Sequence, residues 1–244
     1  MSPMLTIAKR EFRSYFDSPL AYVVMCLTFL LLGLAFFMYG GGFWQIDRAS
    51  LQLLFEYTPV GLSVLVVPVV TMRLIAEEKR SGTLEMLITL PVNDSDVILG
   101  KYLGALGLVM ALVVATALYP IAMFGWPWNL GVLDTGPVWA GYVGLTLFSA
   151  AAVAIGLLVS TLTESQAVAF FITFFVLLIL WFAEAAANQV SGGLGDLLTH
   201  VCFQSRLEGF TRGLIDTRDV VFFLSVTVVA LMVAFRALER RKWS

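Results

Sequence analysis

Long apolar runs alternate with shorter polar segments along this chain, and the apolar runs predict its architecture. A helix needs roughly 17–25 mostly apolar residues to cross the hydrocarbon core of a bilayer. Runs of this kind predict six transmembrane helices, which we number spans one to six, at residues 20–39, 55–74, 101–124, 138–161, 166–186 and 220–237. The pattern therefore predicts an all-α polytopic membrane protein, with residues 1–244 forming a single transmembrane domain.

Composition and charge agree with this prediction. Only 13% of the 244 residues are charged, the mean hydropathy is +0.90, and soluble domains carry about a quarter charged residues. The net charge of −2 gives no indication of nucleic-acid binding. Eleven of the 15 Lys and Arg residues lie near the two termini or between spans two and three. The positive-inside rule places these regions, including residues 75–100, in the cytoplasm.

The four remaining basic residues lie on the opposite side, where acidic residues interleave with them. We predict that they are paired locally: Arg48, Arg206, Arg212 and Arg218. The longest external connection, residues 187–219, has apolar positions at helical spacing. This spacing predicts one or two short amphipathic helices on the outer surface.

The N-terminal 18 residues have a second amphipathic pattern. Lys9, Arg10 and Arg13 share one helical face. The opposite face is apolar and consists of Leu5, Ala8, Phe12, Tyr15 and Phe16. This pattern predicts a helix in the cytoplasmic interface, with its apolar face in lipid and its basic face toward anionic headgroups. The alternative is a charge cluster that only sets topology.

The sequence lacks the residue clusters that an enzyme or metal site needs. His200 is the only histidine, and the positions of Cys26 and Cys202 do not favour a disulfide. A glycine pair at Gly131 and Gly136 has phosphate-loop spacing, but Pro137 follows where Lys is required. We therefore predict no metal, no cofactor and no enzymatic activity in this chain, so any ATP chemistry lies on a partner.

A gradient-driven transporter or channel is the main alternative function from the residues alone. Ion-coupled transport typically needs ionisable groups in the middle of spans. Spans one, three and four have none at their centres, whereas Glu56 and Glu184 lie at the outer ends of spans two and five. These two carboxylates are either interfacial groups in water or the polar lining of an exit mouth.

The polar stretch EEKRSGTLEMLITLPV, residues 77–92, separates spans two and three. Ser81 or Thr83 can cap a short helix there, and Pro91 ends it. The helix has a narrow apolar ridge formed by Leu84, Leu87 and Ile88. This pattern indicates a helix that inserts into a groove on another protein, and the alternative is a solvated loop.

This stretch, followed by ILGKYLGAL, resembles the cytoplasmic coupling region of type-2 ABC exporter permeases. That region has a Glu pair, basic residues, Gly-Thr, Glu, an apolar ridge and Pro, and then Gly-Lys at the start of span three. The matching residues are Glu77, Glu78, Gly82, Thr83, Glu85, Leu87, Pro91, Gly100 and Lys101. The resemblance extends over nearly the whole chain. KREFRSYFDSPLAYV and FTRGLIDTRDVVFFLS further resemble the gliding-motility-associated subgroup.

The resemblance implies a dimer of permease chains with two soluble ABC ATPase subunits, which carry ATP and Mg. It implies a coupling helix at residues 81–91 and ATPase contact through Glu77, Glu78, Arg80, Ser81, Gly82, Thr83, Leu84, Glu85, Leu87, Ile88 and Pro91. Thr163 and Glu164, between spans four and five, are the implied second contact. ATP hydrolysis on the partner would then drive export or transmit force to an external partner.

The resemblance also implies a place in the cell and further contacts. It places the protein in the bacterial cytoplasmic membrane with both termini inside, embedded in the lipid bilayer. The subgroup often pairs with a membrane protein that carries a large external domain. The implied contacts to that partner are Arg206, Phe210, Arg212 and Asp216. A non-transporting anchor that only transmits force stays open beside export.

Overall fold

The computed structural model describes residues 2–38, 51–82, 94–124, 135–187 and 200–240, and all regular structure within them is helical. The all-α prediction is thereby confirmed for the described residues. The helices are α1 (Pro3–Phe16), α2 (Pro19–Met38), α3 (Gln52–Gly61), α4 (Val67–Thr71), α5 (Ala76–Ser81), α6 (Asp94–Ala115), α7 (Leu118–Phe124), α8 (Thr135–Leu162), α9 (Gln166–Ala187), α10 (Phe203–Thr211) and α11 (Thr217–Arg240).

Several helices have the length and apolar composition that a bilayer requires. Within the described residues, five qualify on their own: Gln52–Ser81, Asp94–Ala122, Thr135–Leu162, Gln166–Ala185 and Thr217–Arg240. The helices at Pro3–Phe16 and Ala21–Phe37 pass the same test together, with a bend of 71° between them. The chain is therefore a multi-pass membrane protein, and the predicted span one lies in α2, which passes this test only together with α1.

Helix α8 forms the centre of the bundle, because small residues on its surface let its neighbours approach closely. A Cβ added at Gly141 would lie 2.7 Å from the ring of Phe55, and one at Gly144 would lie 2.8 Å from Cβ of Phe210. A third glycine, Gly156, packs against the end of α4. Helices α3, α4, α6, α9, α10 and α11 all contact α8.

Span two is not a regular helix. A π-helical turn at Leu62–Val66 joins α3 to α4, and a non-helical turn at residues 72–75 separates α4 from α5. Pro59 and Pro68 flank the π turn, and each removes one backbone N–H donor from the helix. Irregular backbone at membrane depth is tolerated when it is buried in protein, and Leu62 and Val66 are buried.

The end of α5 corrects the predicted role of Ser81. The sequence predicted that Ser81 could begin the coupling helix, whereas in the structure it is the last residue of α5. Gly82 follows in the left-handed region at φ 71°, which ends the helix, as glycine commonly does. The hydroxyl of Ser81 accordingly donates to the carbonyl of Glu77, 2.9 Å away in the same helix.

Helix α1 packs along α6, which corrects part of the prediction for its apolar face. A Cβ at Gly100 would lie 2.8 Å from Cβ of Ile7, and one at Gly104 would lie 2.6 Å from Cβ of Glu11. Ala8, Phe12 and Tyr15 are half-buried on this side, while Leu5 is 51% exposed. The predicted lipid-facing surface is therefore largely a protein contact, made possible by the glycines of α6.

Candidate functional site

A buried lysine joins three elements at the end of the bundle that the charge pattern assigns to the cytoplasm. Lys101 lies in α6 with 2% of its side chain exposed. Its Nζ is 2.9 Å from Oε1 of Glu11 in α1 and 2.8 Å from Oε1 of Glu78 in α5. We call Glu11, Lys101 and Glu78 the ionic triad. It connects α1, α5 and α6.

The triad holds two carboxylates around one ammonium group. Removing a charge from water costs several kcal/mol per ion unless a partner compensates it, so the buried Lys101 depends on these two residues. Glu11 and Glu78 keep 15% and 19% of their side chains exposed. A second cation, the guanidinium of Arg10, lies 3.6 Å from Oε1 of Glu11 and partly offsets the second negative charge.

Side chains from α1 and α8 bind the backbone groups left open by the break in span two. The N–H groups of Ile75 and Ala76 both donate to Oγ of Ser160 at 3.1 Å. Leu74 N–H donates to the carbonyl of Thr71 rather than to that of Val70. The hydroxyl of Tyr15 then donates to the carbonyl of Val70, 3.0 Å away.

The hydroxyl of Tyr15 stays protonated in this position and can always donate its hydrogen bond. It lies in α1, outside the helices assigned as spans. Burial raises the pKa of its hydroxyl well above the ordinary tyrosine value, and the negative charge of Glu11 raises it further. The hydroxyl therefore keeps its proton throughout the physiological pH range, and its hydrogen bond to Val70 does not depend on pH there.

Helix α5 is also attached to the end of α8. Lys79 Nζ donates to the carbonyl of Thr161, two residues before Thr163. Thr163 in turn donates to the carbonyl of Val159 at 3.0 Å. The predicted second contact, Thr163 and Glu164, thus begins directly beside the anchoring point of α5.

The predicted coupling residues fall into two groups. Glu77, Glu78, Arg80, Ser81 and Gly82 are described, and all except Glu78 are exposed. The others lie outside the described residues: Thr83, Leu84, Glu85, Leu87, Ile88 and Pro91. Glu78 is turned toward Lys101, so its carboxylate belongs to the triad.

Sequence reasoning missed three members of this site. Glu11 and Ser160 received no role, and Tyr15 was predicted only to face lipid. Lys101 was matched to a family pattern without a partner. The available signal was Lys101 itself, since a charged residue beside an apolar run predicts a specific partner. Periodicity in α1 could not reveal Glu11, because that residue lies next to the basic residues along the chain.

On the predicted external side, two of the four arginines form local ion pairs, as predicted for them, while Arg48 lies outside the described residues. Arg206 lies 3.0 Å from Asp219, and Arg212 pairs with Glu208. Phe210, however, is 1% exposed and packs against Gly144 of α8. The prediction that Phe210 contacts an external partner is therefore wrong for this structure, because the glycine of α8 provides a buried position for its ring.

Glu56 and Glu184 line one external cavity of about 420 Å³. Other polar residues in its wall are Gln52, Gln204 and Glu208. The two carboxylates that the sequence placed at the outer ends of spans two and five therefore face a common space.

Among the described residues, no group of three or more His, Cys, Asp or Glu is arranged to hold a metal ion. Cys26 and Cys202 are both free.

We expect Ser160→Ala to loosen the turn between α4 and α5. The substitution leaves two buried N–H groups, those of Ile75 and Ala76, without their acceptor, at a cost of about 1–3 kcal/mol. Hydrogen exchange of the detergent-solubilised protein should become faster in peptides covering residues 70–82. The control is Ser225→Ala, since the exposed Ser225 only donates to the carbonyl of Phe222 in its own helix. Unchanged exchange in Ser160→Ala would contradict the assigned role.

The long apolar helices of the bundle define the chain as a multi-pass membrane protein. In a comparison with known protein families, residues 52–187 match the family described as ABC-2 family transporter protein. This match covers more than half of the chain, and the chain therefore belongs to the ABC-2 transporter family. A comparison with curated proteins found no match.

The matched region runs from α3 to α9 and includes α5, Lys101 and the turn after α8. Membership confirms the resemblance to ABC-2 type permeases, while the gliding-motility-associated subgroup stays a prediction. The family consists of membrane subunits that are not themselves catalytic, and it implies an ATPase partner and dimerisation.

Proposed function

We propose that this chain is the permease subunit through which a separate, soluble ABC ATPase drives export or transmits force to an external partner. The complex would contain two permease chains and two ATPase subunits, with ATP and Mg bound by the ATPases. The observation that carries the proposal is the attachment of α5. This helix ends at Ser81, where the predicted coupling helix of residues 81–91 begins. Its side chains contact α6 through Glu78 and α8 through Lys79.

These attachments give a displacement at the coupling helix a route into the bundle. A push on α5 acts on α8 through Lys79 and Ser160, and on α6 through Glu78. Such a push requires that the coupling helix contact two states of the ATPase differently, because equal contact with both states transmits nothing. Exposed Glu77 and Arg80 are positioned to make such contacts.

The alternative, a gradient-driven transporter, has less support from the buried charges. In the described part of the chain, Lys101 is the buried charged side chain. It lies near the end of its span and is held in the ionic triad, whereas ion-coupled transport typically uses groups near mid-span. The residues of the external cavity lie at the outer ends of their helices.

The Lys and Arg distribution supports cytoplasmic termini, and the family resemblance supports a location in the bacterial inner membrane. Lys9, Arg10 and Arg13 of α1 are exposed, which suits contact with anionic headgroups while the opposite side packs on α6. On the external side, Arg212 and Asp216 are exposed and remain candidates for contact with a membrane partner that has an external domain.

We expect Leu87→Asp to reduce recovery of the ATPase with the tagged permease by about tenfold or more, which corresponds to about 1.4 kcal/mol. The physical reason is that a carboxylate placed on the apolar ridge would have to be desolvated in the groove of the ATPase. The measurement is affinity capture from detergent-solubilised membranes, followed by quantification of the ATPase and of ATP turnover.

The matched control is Leu214→Asp, which makes the same substitution at an exposed leucine on the predicted external side. It should leave recovery unchanged. If Leu87→Asp retains both normal recovery and normal ATP turnover, the coupling helix is not the ATPase contact, and the proposed function loses its main support.

A further inference from the structure

Helix α1 is connected to span two on both sides of its break, directly before the break and through Lys101 after it. Before the break, Tyr15 donates to the carbonyl of Val70 at 3.0 Å. After the break, Glu11 and Glu78 share the ammonium group of Lys101. Glu11 and Tyr15 are four residues apart and therefore lie on the same face of α1. Helix α1 therefore connects the segments that precede and follow the turn at residues 72–75.

We propose that the ionic triad is a latch that makes α1, and through it α2, follow the movement of α5. This inference rests on the proposed function, in which the ATPase causes the movement of α5. It assigns Glu78 a positioning role between helices of this chain instead of direct contact with the ATPase. A displacement of α5 would then reach span one from Glu78 through Lys101 and Glu11.

The packing of α1 supports such a route. Close approach at Gly100 and Gly104 keeps α1 against α6, so the two helices move together. Helix α1 meets α2 at a bend of 71°, across the short connection at Asp17 and Ser18. The N–H groups of both residues bond to carbonyls within α1, those of Arg13 and Tyr15. Because this connection has little slack, a displacement of α1 pulls directly on the adjacent end of α2.

The side chains of α5 differ in exposure. This difference distinguishes Glu78, which positions helices, from the residues that an ATPase can contact. Glu78 keeps 19% exposure, and its Oε1 is 2.8 Å from Lys101. Glu77 and Arg80 are exposed on the same short helix. A partner protein can reach these two residues without disturbing the triad, whereas contact with the Glu78 carboxylate would compete with Lys101.

The test uses Glu11→Gln, Glu78→Gln and the double variant in the full-length protein, purified with the ATPase that accompanies the wild-type chain. Four quantities are measured: ATPase recovery, ATP turnover of the complex, the unfolding midpoint, and the rate of trypsin cleavage in α1, where Lys9, Arg10 and Arg13 are exposed. The matched control is Glu239→Gln, which removes a carboxylate from an exposed pair with Arg236 in α11.

We expect Glu11→Gln to keep normal ATPase recovery and a nearly normal unfolding midpoint. Its α1 should be cleaved several-fold faster, and ATP turnover of the complex should fall by at least half. Glu78→Gln should also keep normal recovery and lose turnover. The double variant leaves the Lys101 ammonium without either carboxylate and should lose more than each single variant. If the double variant does not fold, the single variants decide the test.

Two results would overturn the latch. One is unchanged cleavage and turnover in Glu11→Gln. The other is reduced ATPase recovery in Glu78→Gln alone, which would make Glu78 a direct contact. If no ATPase accompanies the wild-type chain, the proposed function fails separately. The trypsin result then tests the triad by itself. Faster cleavage in Glu11→Gln supports the conclusion that the triad holds α1 in place, and an unchanged cleavage rate overturns that conclusion.

Discussion

Replacing Lys101 with methionine should lower the free energy of unfolding by about 3–5 kcal/mol, the range for removing one partner of a buried ion pair. The substitution nearly preserves side-chain volume, so the loss comes from charge. It removes the ammonium group that Glu11 and Glu78 share, in a place where each carboxylate retains only limited contact with water. Glu11 then keeps only its longer contact with Arg10, at 3.6 Å. Partial hydration of both groups places the expected value near the lower end.

Thermal unfolding of the detergent-solubilised protein measures this effect. The matched control is Arg236→Met, which removes a cation whose side chain is 77% exposed and which pairs with Glu239 at 3.1 Å. Exposed pairs contribute about 0–1 kcal/mol, so the control should unfold close to the wild-type midpoint. Equal midpoints for the two variants would show that the triad contributes no more than a surface pair.

Replacing Gly156 with alanine should also destabilise the protein strongly. The added Cβ would overlap Oγ1 of Thr71 and lie 2.7 Å from its Cβ, so α8 and α4 must move apart. Overpacking of this kind typically costs about 1–3 kcal/mol. Gly156 lies one helical turn from Ser160, so the shift also weakens the two hydrogen bonds that hold residues 75 and 76. Both the unfolding midpoint and hydrogen exchange in residues 70–82 should respond.

The control for this prediction is Gly61→Ala in α3. There the new Cβ would meet Cδ2 of Leu32 at 3.5 Å, an ordinary van der Waals distance. Alanine also favours a helix over glycine by about 1 kcal/mol, so the midpoint should stay the same or rise. A loss equal to that of Gly156→Ala would mean that helix propensity or lipid contact, rather than the Thr71 contact, explains both results.

The sequence predicted the membrane class and most of the helical segments because both depend on local properties. Hydrocarbon excludes unpaired backbone groups, so an apolar run of sufficient length must be helical there. The run at 138–161 accordingly lies inside α8, Thr135–Leu162, and that at 166–186 lies inside α9, Gln166–Ala187. The family assignment also had a local signal in the residues after span two.

The candidate site was predictable only in part. Periodicity showed that α1 has a basic face, but it could not show that α6 offers glycines for the opposite side. It likewise identified the apolar spacing of Leu207 and Phe210, yet burial of Phe210 depends on Gly144, which is distant in the chain. Ser81 resembled a helix start because local composition cannot distinguish it from the residue before a terminating glycine.

By itself, the sequence determined which segments are apolar enough to enter the bilayer and where basic residues accumulate. It also predicted a coupling helix between spans two and three. Only the tertiary structure decided that Glu11, Lys101 and Glu78 meet, and that Ser160 and Tyr15 satisfy the broken end of span two. The physical reason is that hydropathy depends on each residue and its neighbours in the chain. A buried charge or an open backbone group, in contrast, requires a partner that folding brings from a distant segment.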